Sequence, residues 1–172
     1  MAISIDGTNN TITGLTSLPK LAMANGTPIQ TVSQTFAPYT GSDAERGSST
    51  SYTETGIVLS ITPTVNTSKI LVMIEGCSFG YKTTASNVDY YMRLVGTPQG
   101  GSLAEFREIR VRHTTEGNTT QRHFDSWNMS YYHDHNGTVP IEYKVQHKLG
   151  DYCTYVWARY HGATIVLQEV LE

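Results

Sequence analysis

Residues Gly56 to Glu75 read GIVLSITPTVNTSKILVMIE, two alternating apolar runs on either side of a Thr/Asn/Ser turn. Ile57, Leu59 and Ile61 fall on one side of an extended chain, and Ile70, Val72 and Ile74 do so again. Strict alternation marks a strand with one face in a core and the other in water. Pro63 has no N–H to give to a ladder, so it ends the first run. The block predicts a β-sandwich and holds no reactive group.

The rest of the chain repeats the pattern. Gly56–Thr62 and Lys69–Gly76 form the first pair, preceded by a strand over Ile29–Phe36. Val88–Val95 lines up Val88, Tyr90, Met92 and Leu94, and Glu105–His113 offers Ile109 and Val111. Phe124–His133 brings Trp127, Met129 and Tyr131 together. In Val139–Leu149, Ile141, Tyr143 and Val145 point inward and Glu142, Lys144, Gln146 and Lys148 outward. Asp151–Tyr160 and Ala163–Leu171 close the chain, with Gly150-Asp151 and His161-Gly162 as tight hairpin connections. Eight or nine strands joined by short turns predict an all-β sandwich of the jelly-roll kind.

Composition agrees. The 24 threonines far outnumber the 5 lysines, and a β-branched polar side chain suits the solvated face of a sheet. At 172 residues the chain suits one domain with an appendage. A net charge of −3 gives no general attraction to nucleic acid or to an anionic membrane. The start lacks a basic segment followed by a continuous apolar run, and no apolar stretch is long enough to span a bilayer. Neither nucleic-acid binding nor membrane insertion is expected. Cys77 and Cys153 sit among apolar or aromatic neighbours and read as buried free thiols.

The first 28 residues differ from the remainder. Ile3, Ile5, Ile12, Leu15 and Leu18 are too few to close a core, so this segment is either disordered or ordered against another polypeptide, and low complexity without dense charge favours the second. Extended at about 3.3 Å per residue, it would reach on the order of 90 Å. The predicted division is an arm over residues 1–28 and a sandwich over 29–172.

Three groups invite a chemical reading. His133-Asp134-His135 places two imidazoles at i and i+2, on one side of an extended chain, where they would share a metal. The glutamate spacing of a cupin is absent, since Glu142 lies seven residues beyond His135, and Asp134, Asn136 and Gly137 are turn formers. A basic cluster of Arg107, Arg110, Arg112, His113, Arg122 and His123 reads as a solvated or inter-subunit face answered by Glu105, Glu108 and Glu116, or as a contact for an anionic glycan or another protein of the same particle. Aromatic side chains around Tyr155 and Trp157 occupy both faces of one strand, which predicts that a second subunit covers them. No G-x-S-x-G elbow, P-loop, C-x-x-C or H-E-x-x-H occurs, and Glu105 and Glu108 point to opposite faces of a strand. An enzyme is not expected, nor a cofactor beyond a metal at His133 and His135.

The opening MAISIDGTNNTITGL, the core TETGIVLSITPTVNTSKILVMIEG and the closing ATIVLQEVL together resemble small virion proteins of tailed bacteriophages, notably tail-fibre-like proteins of marine and cyanobacterial phages. The resemblance covers about a third of the chain and contains no catalytic motif. It implies a structural protein on the outside of a virion, on tail or capsid, assembled in the host cytoplasm. It further implies a homotrimer whose arm docks on other virion proteins and whose sandwich adsorbs to a host surface, including its glycans. A capsid decoration or cement protein and a free glycan-binding module are the alternatives. In some trimeric phage fibres an H-x-H pair from each chain meets on the threefold axis around one metal, and His133 and His135 resemble that pair.

Overall fold

The computed structural model describes residues 4–6, 11–13, 25–38, 48–82, 87–99, 101–114, 121–150 and 153–172. Among them are strands and turns and no helix. Two short strands, β1 (Ser4–Asp6) and β2 (Thr11–Thr13), pair with each other, Ile5 opposite Ile12. The sandwich is built from β3 (Pro28–Phe36), β4 (Thr53–Ile61), β5 (Lys69–Lys82), β6 (Asn87–Pro98), β7 (Ala104–Thr114), β8 (Gln121–Asp134), β9 (Ile141–Leu149), β10 (Tyr155–Trp157) and β11 (Ala163–Val170).

The pairings are nested. β6 pairs β7, β5 pairs β8, β4 pairs β9 and β3 pairs β11, all antiparallel. The chain is thus a long hairpin whose tip is the β6–β7 turn. Rolling that ribbon brings β11 against β5 and β6 against β9, which gives two sheets. The first runs β3-β11-β5-β8 and the second β4-β9-β6-β7. This is the strand order of a jelly roll, so the expected fold is present.

One expectation is corrected by that order. β4 and β5, the two runs that looked like a first pair, do not pair. They lie in different sheets, and the Pro63–Ser68 stretch carries the chain across the end of the core. Their apolar faces meet through the interior, where Ile57 and Ile61 of β4 join one buried cluster with Ile70, Val72 and Ile74 of β5. Alternation reports which side chains are buried but not which strand lies beside which.

The predicted hairpins at Gly150-Asp151 and His161-Gly162 are corrected too. Gly150 donates its N–H to Asp89 O at 2.9 Å while the chain leaves the second sheet for the first, and Asp151 lies outside the described residues. β10 and β11 do not pair with each other; both run antiparallel to β5 along the same edge, at Phe79–Tyr81 and at Lys69–Gly76. Together they form one strand interrupted by the turn Ala158–Gly162, where Gly162 has φ 99°. The ladder expected over Asp151–Tyr160 shrinks to Tyr155–Trp157.

The core takes Phe36, Trp127, Met129, Ile165 and Leu167 from the first sheet and Tyr90, Met92, Leu94, Tyr143 and Val145 from the second. Trp127 lies flat against Gly76, where a Cβ would come within 2.7 Å of its ring, and donates its indole N–H to Ala158 O at 2.9 Å. The start of the sandwich is tied to its end, since Gly26 N–H donates to Leu171 O (2.7 Å) and Leu171 N–H to Thr27 O (3.1 Å).

Candidate recognition face

The outer surfaces of the two sheets differ in chemistry. On the second sheet, charge is answered locally. Asp89, fully buried, accepts from Arg110 Nε at 2.9 Å and from a second guanidinium nitrogen. Arg93 donates to Gln146 Oε1 (2.8 Å) and Glu105 Oε2 (2.6 Å), and Gln146 donates to Glu54 (2.9 Å). Lys144 pairs with Glu142 at 2.8 Å. Tyr52 donates to Glu108, while its ring carries the Arg93 guanidinium at 3.8 Å and the Lys148 ammonium at 4.4 Å. The basic cluster of the sequence belongs in part to this face, but its acids are others than expected. Arg110 is held by Asp89 and His113 by Asp125, whereas Glu105 and Glu108 serve Arg93 and Tyr52. Glu116 lies outside the described residues.

The first sheet presents something else. Along β5 the outward positions are Leu71, Met73, Glu75, Cys77, Phe79 and Tyr81, opposite Tyr132, Ser130, Asn128, Ser126, Phe124 and Arg122 of β8. β11 adds Thr164, Val166 and Gln168, and β3 adds Thr31, Ser33 and Thr35. At one end the rings stack. Tyr81 lies on Tyr155 (centroids 4.5 Å), and Phe79 touches Phe124 (4.9 Å), Trp157 (5.2 Å) and Tyr160 (4.9 Å). Phe79 is buried although it points away from the core, and Phe124 stays 53% exposed. The interface candidates Tyr155 and Trp157 are thus half-covered by rings of their own chain and half open. An aromatic layer on the outside of a sandwich fits a surface that receives a partner.

Towards the middle of this face lie two adjoining depressions of about 510 and 360 Å3. Both are lined by Glu75, Asn128 and Thr164. The larger lies beside the Ala158–Gly162 turn, where the β11 line is interrupted and His161 and Gly162 join its lining.

The two histidines of the proposed metal pair are held inside the chain. His133 Nδ1 lies 2.6 Å from Tyr143 Oη, and burial, with His135 beside it, pushes the imidazole below its ordinary pKa. His135 is buried; its Nδ1 donates to Gly137 O (2.9 Å) and its Nε2 faces Ser68 Oγ (3.1 Å). Both nitrogens of His135 are engaged, so a metal there would have to displace Ser68 or Gly137. Among the described residues no three His, Cys, Asp or Glu side chains gather as a metal site.

Ser68 belongs to a latch that the sequence reading missed. Glu169, wholly buried, accepts from Thr64 N–H (2.9 Å), Thr64 Oγ1 (2.8 Å), Val65 N–H (2.8 Å) and Ser68 Oγ (2.7 Å). Burial alone would raise its pKa; the donors from Ser68, Thr64 and Val65 outweigh it and hold the carboxyl below the usual value. A serine between an imidazole and a carboxylate suggests a hydrolase, but Ser68 is 2% exposed and leaves no room for a substrate. Its chemistry is structural: it ties the β4–β5 crossing, the β8–β9 loop and β11 into one knot. The signal was legible, since in ATIVLQEV the series Ala163, Ile165, Leu167, Glu169 puts an acid on the apolar side.

Of the predicted arm residues, Ile5 and Ile12 stand opposite each other in β1 and β2, while Ile3, Leu15 and Leu18 lie outside the described residues. Cys77 and Cys153 are half-buried and form no disulfide among the described residues.

No family model matches the chain, and no curated protein matches it. Similar solved structures include that of infectious bursal disease virus Gt strain, at 11% identity and TM-score 0.39, covering 97% of this chain and 36% of that one. The T13 viral particle of the same virus gives 10% and 0.38, covering 84% and 36%. Its VP2 subviral particle gives 10% and 0.30, covering 83% and 35%. This chain spans about a third of the length of those chains. At these TM-scores the likeness is too distant to assign a role.

Proposed function

We propose that this protein is a structural component of a virus particle, tail-fibre-like, that docks by its N-terminal segment and presents its sandwich for adsorption to a host surface. The observation that supports this best is the contrast between the two outer faces. One is charged and internally paired, which keeps it soluble and inert; the other carries an aromatic layer and open depressions. The resemblance of the opening, core and closing segments to tailed-phage virion proteins supports the same reading.

In this reading three copies associate through the end of the first sheet that holds Tyr155 and Trp157. A symmetric contact needs a self-complementary or cyclic patch, and the rings around Phe79 are apolar, contiguous and partly open. An axial metal at His133 and His135 is a separate part of the proposal: His133 pairs with Ile70 at the end of β5 away from Tyr155, and a metal there would need a second contact between copies and the release of His135 from Ser68 or Gly137. Elemental analysis of the purified trimer would then find about one ion per three chains, lost on His133→Ala; a metal-free trimer removes it.

The test is imaging of intact particles labelled through this chain, together with binding of the isolated protein to host-cell envelopes. A few copies on the tail and binding to cells support the fibre-like role. Hundreds of copies over the head, with binding to empty heads but not to cells, would replace it with a decoration protein. Absence from purified particles overturns both.

A further inference from the structure

We infer that the paired depressions on the outer face of the first sheet form a binding site for a neutral oligosaccharide. This deepens the adsorption reading by giving it a site and a ligand class, and it rests on that reading only for its biological purpose. The chemistry stands on its own.

The polar groups in the depressions are unspent. Glu75, Ser126 and Asn128 are exposed, and none of their side chains makes a hydrogen bond or ion pair among the described residues. That contrasts with the second sheet, where Arg93, Asp89, Glu105 and Lys144 are all paired. Glu75 and Asn128 sit directly opposite each other in the β5–β8 ladder and so point out side by side. A carboxylate beside a carboxamide suits a pair of neighbouring hydroxyls: the first accepts a proton from each, and the NH2 of the second donates to their oxygens. Thr35 and Thr164, whose hydroxyls lie 3.4 Å apart, add weaker donors and acceptors at the wall.

The rim supplies a ring platform. His161 is exposed and lies nearly parallel to Phe124, centroids 5.9 Å apart, and Tyr160 meets both. The C–H face of a pyranose packs on such rings while its hydroxyls turn to the polar floor.

Other ligands fit less well. Among the described residues Glu75 is the one acid lining either depression, so a divalent cation, which needs several oxygen ligands, is poorly provided for. The same carboxylate repels phosphate, sulfate or sialic acid. Two depressions that meet at Glu75, Asn128 and Thr164 suit a chain of sugar units rather than a single ring. The Tyr81–Tyr155 end of the face lies six residues along β5 from Glu75, about 20 Å at the rise of a strand, so an association confined to those two rings leaves the polar floor open, whereas one that reaches Phe79 would share Phe124 and Tyr160 with the site.

The test is NMR titration of the full-length chain, isotopically labelled, with mannose, galactose and N-acetylglucosamine oligomers as probes. At least one probe should shift amides of Glu75–Cys77, Ser126–Asn128 and His161–Thr164 together. Glu75→Ala and Asn128→Ala should each weaken that binding about tenfold or more, as expected for lost hydrogen bonds to a charged or bidentate group. Glu75 and Asn128 are exposed, so both variants should melt as the parent does, and Lys144→Ala on the opposite sheet should bind as the parent does. Failure of every probe to shift these amides, or equal affinity of both variants, overturns the site. Either result leaves the virion assignment to the particle experiment, because particle composition does not depend on sugar binding.

Discussion

Glu169 shows how much one side chain can hold. Four donors converge on a carboxylate with no access to water. Replacing it by Gln gives an amide whose NH2 must face donors, and leaves buried N–H and O–H groups without an acceptor. Glu169→Gln should lower stability by about 3 kcal/mol, seen as a melting temperature lower by roughly 10 °C. Because the folded carboxyl titrates below 4.5, its contribution is complete above that value and is lost as the pH falls through the folded-state value. His147 carries the same sign into a milder range. It is 1% exposed, its Nδ1 has no hydrogen-bond partner among the described residues, and burial lowers its pKa from 6.5 to about 4. The unfolded chain therefore binds a proton that the folded chain refuses, so stability is full above 6.5 and declines as the pH falls towards 4. Thermal melts from pH 7 to 4 should show this slope, worth on the order of 3 kcal/mol in total, and His147→Leu should flatten it. An unchanged slope would mean that other groups set the acid limit.

At the scale of the element, β5 organises the molecule. It pairs β8 over its whole length on one side and β11 and then β10 on the other. It needs Gly76 because Trp127 lies where a side chain would go, at 2.7 Å from an added Cβ. Gly76→Ala should cost about 1–3 kcal/mol by forcing the indole out of its place, measurable as a lower urea midpoint with an unchanged slope. A cost near zero would show that the ring yields freely. The same strand explains what alternation conveys and what it does not. Ile70, Val72 and Ile74 announced their burial, and so did Ile141, Tyr143 and Val145. The pairing of β5 with β8 and β11 was invisible, because a strand's neighbours are set by contacts far away in sequence and not by its own pattern. The aromatic layer was half legible. Tyr155 and Trp157 stood out as rings on both faces of a strand, but nothing in the pattern singled out Phe79 and Phe124, which the β5–β8 ladder sets opposite each other. The Glu75–Asn128 pair gave no signal, since only the ladder brings those two residues side by side.

Over the whole molecule, the question is where the sandwich ends and the attachment segment begins. The hydrogen bonds of Gly26 and Thr27 to Leu171 sew the entry of β3 to the exit of β11, so the last turns of the domain involve residues ahead of the first long strand. Removing residues 1–24 keeps both bonds. Removing residues 1–28 deletes both and also takes Pro28, which pairs with Val170. The shorter deletion should leave the melting temperature of the parent chain, and the longer one should lower the stability by about 2 kcal/mol, two hydrogen bonds at about 1 kcal/mol each. If residues 1–24 serve attachment alone, the shorter deletion also separates two activities in one sample: association of the sandwich, read by analytical ultracentrifugation, and capture by the particle, read by co-sedimentation. Association should survive the deletion and be weakened by Trp157→Ser, which thins the ring layer without touching the core. Capture should be lost on deletion and survive Trp157→Ser. A deleted chain that melts early or falls to monomers would place the first 24 residues in the fold instead of on the particle.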